Sequence, residues 1–178
     1  MGVVAQEEDG DVEEVVVTGS KIKSADLYSF APVTEITAED IAVTGKASIG
    51  EILLELPSQG SGLSRNYNNG GSGAVRIDMR HLGSGRNLIL VDGRRWVNSG
   101  QGANGSVDLN SIPSAMVERV EILRDGASAV YGSDAIAGVI NIITKSDYSG
   151  TSATYQMGEY FDGGGASEVM TFTVGESS

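Results

Sequence analysis

Residues 130–145, VYGSDAIAGVINIITK, set a Tyr-Gly-Ser-Asp corner against the best hydrophobic segment of the chain and then stop at a lysine. Such a segment has to be held inside something, since its apolar side chains stabilise a fold only once they leave water. The chain of 178 residues is long enough for one domain with a sizeable core. Its 25 glycines against 3 prolines favour tight turns and short strands over long helices. A loop-rich, strand-biased fold is therefore expected.

Charge and cysteine usage remove several functions. The net charge of −12 argues against a general nucleic-acid binder, because no cluster of Lys and Arg is present to neutralise phosphates. Much of that charge is local: EEDGDVEE, residues 7–14, holds 6 acids in 8 residues, leaving 12 basic against 18 acidic residues elsewhere. A block of like charges repels itself and buries nothing, so residues 1–13 are expected to be a disordered leader. Disulfides, thiolate catalysis and thiolate metal sites are excluded, as the chain has no cysteine. No stretch reaches the roughly 18 apolar residues of a membrane-spanning helix. MGVV lacks the basic and apolar regions of a signal peptide, while Val3-Val4-Ala5 has the small-residue pattern of a cleavage site, compatible with the remnant of a removed export signal.

Alternating or β-branched runs bounded by turn residues predict strands at 14–18, 33–36, 74–80, 87–91, 94–97, 117–124 and 138–144. Asp92-Gly93 tolerates positive φ at both positions and predicts a tight hairpin turn. Helices are expected to be short. Thr37 and Asp40 form a capping-box pattern, Ser48 opens IGEILLEL, which ends at Pro57, and Pro113 suits the first turn of PSAMVE. A single turn is expected over Ala127–Tyr131. Two stretches, 64–73 and 98–106, hold almost no apolar residue besides Tyr67 and Ala103 and read as long loops.

The last thirty residues differ. Ala153, Tyr155 and Met157, then Met170, Phe172 and Val174, alternate with period two around the turn-forming FDGGGA. This predicts a hairpin with one apolar face, either at the edge of a soluble sheet or as the first two strands of a membrane barrel, whose strands run to about ten residues.

The catalytic inventory is thin. His81 is the only histidine and has no Ser, Asp or Cys partner at a motif spacing, so it reads as a structural or surface residue. Gly100–Gly105 satisfies G-x-G-x-x-G literally, but SVDLNSIP follows, and Pro113 blocks the continuous helix a dinucleotide site requires. An oxidoreductase on this motif is the weakest reading. In AVRIDMR, Val75, Ile77 and Met79 alternate with Arg76, Asp78 and Arg80. The charged side is either a solvated face or, together with Arg124, a set of guanidinium groups that meet acids on another body.

Three blocks, EEVVVTGSKI at 13–22, NLILVDGRRW at 87–96 and IPSAMVERVEILRDGASAVYGSDAIAGVINIITK at 112–145, resemble in order the plug domain of TonB-dependent outer-membrane receptors. The resemblance implies an α+β fold, a small mixed-sheet plug with short helices and long loops, normally held inside a barrel of about 22 strands. It implies a plug over 14–148, with 149–178 as the first two strands of a truncated transmembrane β-barrel. Ile136–Ile143 would be the strand that closes the plug core before the chain enters the wall.

The same resemblance implies roles for particular residues. Glu14, Val15, Val16, Val17 and Thr18 would be the TonB box, an extended segment that adds as a strand to the periplasmic domain of TonB, although the valines also suit a first plug strand. Arg80 and Arg124 would latch the plug to barrel acids. Here they precede His81 and Asp125, where the family more often has glycine. Arg65, Asn66, Tyr67, Asn68, Asn69, Trp96, Asn98, Gln101 and Asn104 would contact a small nutrient such as a siderophore, cobalamin or a carbohydrate. No cofactor, metal, nucleic acid or catalysis is implied; the barrel, TonB and the nutrient are the partners, at the outer membrane with a periplasmic N-terminus. The rival expectation is a free-standing soluble module that binds ligand or TonB by itself.

Overall fold

In a computed structural model the described residues are 33–46, 48–60, 73–99, 105–159, 162 and 166–176. They form a five-stranded mixed sheet with short helices, followed by a separate two-stranded hairpin. Strand β1 is Val33–Thr37, and helices α1 (Ala38–Val43) and α2 (Ile49–Leu53) follow it. Next come β2 (Asn87–Val91), β3 (Arg94–Arg95), β4 (Val117–Leu123), helix α3 (Ser128–Tyr131) and β5 (Gly138–Thr144). The hairpin is β6 (Gly150–Gly158) and β7 (Ser167–Gly175).

The sheet runs β1-β4-β5-β2-β3, with β5 antiparallel to β4 and parallel to β2. Strand β5 is the apolar run from which the sequence argument began, and its residues Gly138–Ile143 are all buried. Its central place explains the composition: with a neighbour on each edge and a layer on each face, every side chain leaves water. On one face, Ile140 and Ile142 join Ile89, Val120 and Ile122 under Ile41 of α1, Ile49 and Leu53 of α2, and Leu109. The other face carries a smaller cluster of Leu88, Leu90, Leu123 and Val139 beneath Ala127, Ala135 and Tyr131. Each fully buried Ile or Leu stabilises the fold by about 1.5–3 kcal/mol through burial alone.

Local chemistry sets the ends of these elements. Thr37 caps α1 by accepting the Asp40 N–H, while the Asp40 carboxylate accepts from the Thr37 N–H and holds its own pKa below the usual value. Asp92 and Gly93 have φ of 48° and 72°, as a two-residue turn of type I′ requires. The Asp92 carboxylate also accepts from Thr144 N–H (2.9 Å) and Oγ1–H (2.7 Å), tying that turn to the end of β5.

Several expectations are corrected. Residues 74–80 form no ladder strand; only Met79 makes a bridge, to Gln59, and Arg80 already lies in a turn. Side chains and loop backbone together replace the ladder: Asp108 accepts the Val75 N–H, Asn87 accepts from Met79 N–H and donates to Ile77 O, and the N–H groups of Leu109 and Gly60 donate to Val75 O and Asp78 O. The expected alternation survives, with Val75, Ile77 and Met79 buried. The strand expected over 94–97 stops at Arg95, and α2 ends at Leu53, short of Pro57. Ser114–Met116 is a single 3-10 turn capped by Pro113, cut short because Val117 already pairs in β4. The one-turn helix expected over 127–131 is present as α3, and the TonB-box segment 14–18 lies outside the described residues.

Candidate functional site

Gly138 packs against the residues that precede Arg80 and Arg124. A Cβ on Gly138 would sit 2.6 Å from Leu123 O and 2.8 Å from Met79 Cε, and its φ of 143° is one that only glycine adopts freely. Met79 and Leu123 each immediately precede one of the arginines. Arg80 and His81 are in the left-handed region, with φ of 58° and 56°. That corner turns the Arg80 guanidinium onto the segment before β5, where Nη2 donates to Ile136 O (2.7 Å) and Nε to Ala137 O (3.2 Å). Arg124 is exposed and forms no ion pair or hydrogen bond among the described residues. One guanidinium is therefore partly engaged within the domain, and the other is free to meet a carboxylate elsewhere.

The two long loops share a base, and sequence reasoning missed it. Of the nine expected contact residues, Trp96 and Asn98 are described, whereas Arg65, Asn66, Tyr67, Asn68, Asn69, Gln101 and Asn104 lie outside the described residues. Trp96 is half-buried against the main core, and Asn98 is exposed. The second loop is closed at its foot by Ser99 N–H donating to Ser106 O (3.0 Å). Both stems converge on the 3-10 turn Leu109–Ser111. Asp108 Oδ1 accepts from Val75 N–H (3.0 Å), Asn110 Nδ2 donates to Gly73 O (2.9 Å), and Trp96 Nε1 donates to Ser111 Oγ (3.0 Å). The signal for this turn was present in Asp108-Leu-Asn-Ser111, whose short polar side chains favour local bonds to backbone.

A second missed pairing joins the end of β3 to the Tyr-Gly-Ser-Asp corner. Arg95 makes a two-pronged ion pair with Asp134, and Nη2 also donates to Tyr131 O. The guanidinium holds the Asp134 carboxyl below its usual pKa, and the carboxylate raises that of Arg95.

The terminal hairpin has two unlike faces. Opposite each other in register stand Ala153 and Phe172, Tyr155 and Met170, and Thr151 and Val174. Tyr155, Met157, Met170, Phe172 and Val174 are 58–75 % exposed. The other face carries Ser152, Thr154, Gln156, Thr171 and Thr173, and it turns towards α1 and residues 114–117 across a gap of about 190 Å³. Apart from Val169 on the inner face and Thr151 and Glu168 on the outer, polar residues face the sheet domain and apolar residues face away from it, the reverse of a soluble sandwich.

Comparison with known proteins gives this geometry a context. Residues 27–139 match the TonB-dependent Receptor Plug Domain family. A mutant ferric enterobactin receptor from Pseudomonas aeruginosa, solved with enterobactin, is 34% identical with a TM-score of 0.60 over 80% of this chain and 22% of its own. The siderophore receptor PirA from Acinetobacter baumannii is 31% identical with a TM-score of 0.56, over 79% of this chain and 21% of its own. The ferric citrate transporter FecA, unliganded, shares the fold at 22% identity and a TM-score of 0.57, over 76% of this chain and 21% of its own. The chain thus spans about a fifth of the length of these receptors. With its mixed sheet, short helices and trailing hairpin, the chain belongs to the TonB-dependent receptor plug domain family.

Proposed function

We propose that the chain is the plug, with the first two wall strands, of an outer-membrane importer that takes up an iron-carrying siderophore under TonB drive. The observation that carries this reading is the two-faced hairpin: an apolar face turned away from the plug and a hydroxyl-rich face turned towards it are what the wall of a lipid-embedded barrel requires. The siderophore class rests on the relatives above 30% identity, which are named for ferric enterobactin and siderophores. Cobalamin and carbohydrates are the lesser candidates.

In this reading Glu14–Thr18 is the TonB box, reached from the periplasm by strand addition. Arg124, and the donors of Arg80 not spent on Ile136 and Ala137, meet carboxylates of the surrounding wall. Arg65, Asn66, Tyr67, Asn68, Asn69, Trp96, Asn98, Gln101 and Asn104 contact the nutrient from the outer side. TonB traction on the box then reorders the plug and opens a path, a change of order in a segment rather than of covalent bonds. No reaction is catalysed.

Calorimetric titration of the chain with the periplasmic domain of TonB tests the central coupling. Binding that Val16→Pro abolishes is expected, since proline removes a ladder N–H. Unchanged binding by Val16→Pro contradicts the assignment of the box.

A further inference from the structure

We propose that the turn Asp108–Ser111 is a clasp that holds the Gly73–Val75 stem and the Trp96–Ser99 stem in one fixed register, with Asp108 and Ser111 as positioning residues. The turn is itself anchored: Leu109 is fully buried in the main core, and its N–H donates to Val75 O (3.0 Å). Around that anchor each polar atom has a separate task. Asp108 Oδ1 takes the N–H groups of both Val75 and Asn110. The Ser111 hydroxyl gives its single proton to Asp108 O (2.6 Å), which leaves its lone pairs for the Trp96 indole N–H. Asn110 spends its amide N–H on Gly73 O and accepts from Ser48 Oγ, the residue that also caps α2.

The bonds to the two stems therefore pass through one another's atoms. A shift of Val75 pulls on Asp108, whose carbonyl holds the Ser111 hydroxyl, which in turn holds Trp96. The stems move together, and the core, rather than the loop sequences, sets their separation. The consequence for uptake rests on the function proposed above, in which these loops touch the nutrient; the clasp itself does not.

The test uses the 178-residue chain in detergent, which covers the exposed hairpin face, and needs no ligand. Trp96 is the only tryptophan, so its emission reports the second stem alone. Asp108→Ala is expected to speed exchange of the Val75 amide about tenfold and also to shift the Trp96 emission, although Asp108 does not touch the indole. Asp108→Asn keeps the acceptor oxygen and is expected to restore both. Ser111→Ala, a milder change, is expected to act in reverse, altering Trp96 directly and speeding exchange at Val75. The proposal is overturned if Asp108→Ala changes Val75 while Trp96 emission stays as in the wild type, or if Asp108→Asn restores neither. Should Asp108→Ala fail to fold, Ser111→Ala decides: Val75 exchange equal to the wild type overturns the clasp. These readouts stand whether or not TonB binds, so a failure of the clasp is distinct from a failure of the transport reading.

Discussion

Strands β5 and β6 are alike in backbone and opposite in environment. Each is fully laddered, β5 between two neighbours and β6 against β7 through nine paired positions, yet β5 buries six consecutive residues while β6 buries none. Hydrogen-bonded pairing is thus common to both regions, and apolar burial separates them. A two-stranded hairpin is marginal in water because pairing contributes little net free energy without a covered face. The plug sheet finds that cover within its own sequence. The hairpin carries the apolar residues for a face, and none of the described residues covers it.

The largest test of this contrast is a pair of truncations in the detergent-free chain. Ile140 is fully buried and Phe172 is 66 % exposed. Urea unfolding is expected to show a loss of about 2–5 kcal/mol for Ile140→Ala and no more than about 0.5 kcal/mol for Phe172→Ala. Comparable losses at the two sites would erase the distinction between core and wall.

A smaller effect is expected where the β2–β3 turn is tied to β5. Asp92→Ala removes an acceptor for two Thr144 donors and places a Cβ-bearing residue of poorer αL tolerance at φ 48°. A loss of about 1–2 kcal/mol is expected in the same assay, with amide exchange in β6 and β7 unaffected. Destabilisation that spread into the hairpin would mean that the two regions fold as one unit.

The smallest expected effect is a pH dependence at the Arg95–Asp134 pair. Asp134 has a folded pKa below its ordinary 3.8, so its contribution is present above about pH 4 and is lost as pH falls through the lowered value. Both side chains are substantially exposed, which limits the pair to about 0.2–1 kcal/mol. Asp134→Asn is expected to flatten that acid limb of the stability profile by lowering neutral-pH stability by the same small amount, about 0.2–1 kcal/mol. An acid limb of the same size in Asp134→Asn would assign it to other carboxylates.

Much of the sheet was legible because its cues are local. The strands at 87–91 and 138–144 matched their expected bounds, as did the Asp92-Gly93 turn and the capping box at Thr37, each fixed by residues within a few positions. The segment 74–80 misled for a physical reason: its alternation reports burial correctly, but whether a neighbouring strand or the side chains of Asp108 and Asn87 satisfy its backbone is decided by residues far along the chain. The arginines of the expected latch could be named from sequence. The meeting of the residues before them, Met79 and Leu123, at Gly138 could not, because it depends on contacts across the fold. Likewise the clasp at Asp108 has a local turn signature but takes its meaning from Trp96 and Gly73, which only the folded chain brings to it.

The claim that residues 150–175 are wall and the preceding sheet is plug is tested most directly by spin labels placed singly along β7 in bilayers. The chain has no cysteine, so each introduced cysteine is unique. Labels at 170, 172 and 174 are expected to be relaxed by oxygen dissolved in the lipid, and those at 171 and 173 to be shielded from it, in strict period two. Equal exposure of all five positions to a water-soluble relaxer would contradict it.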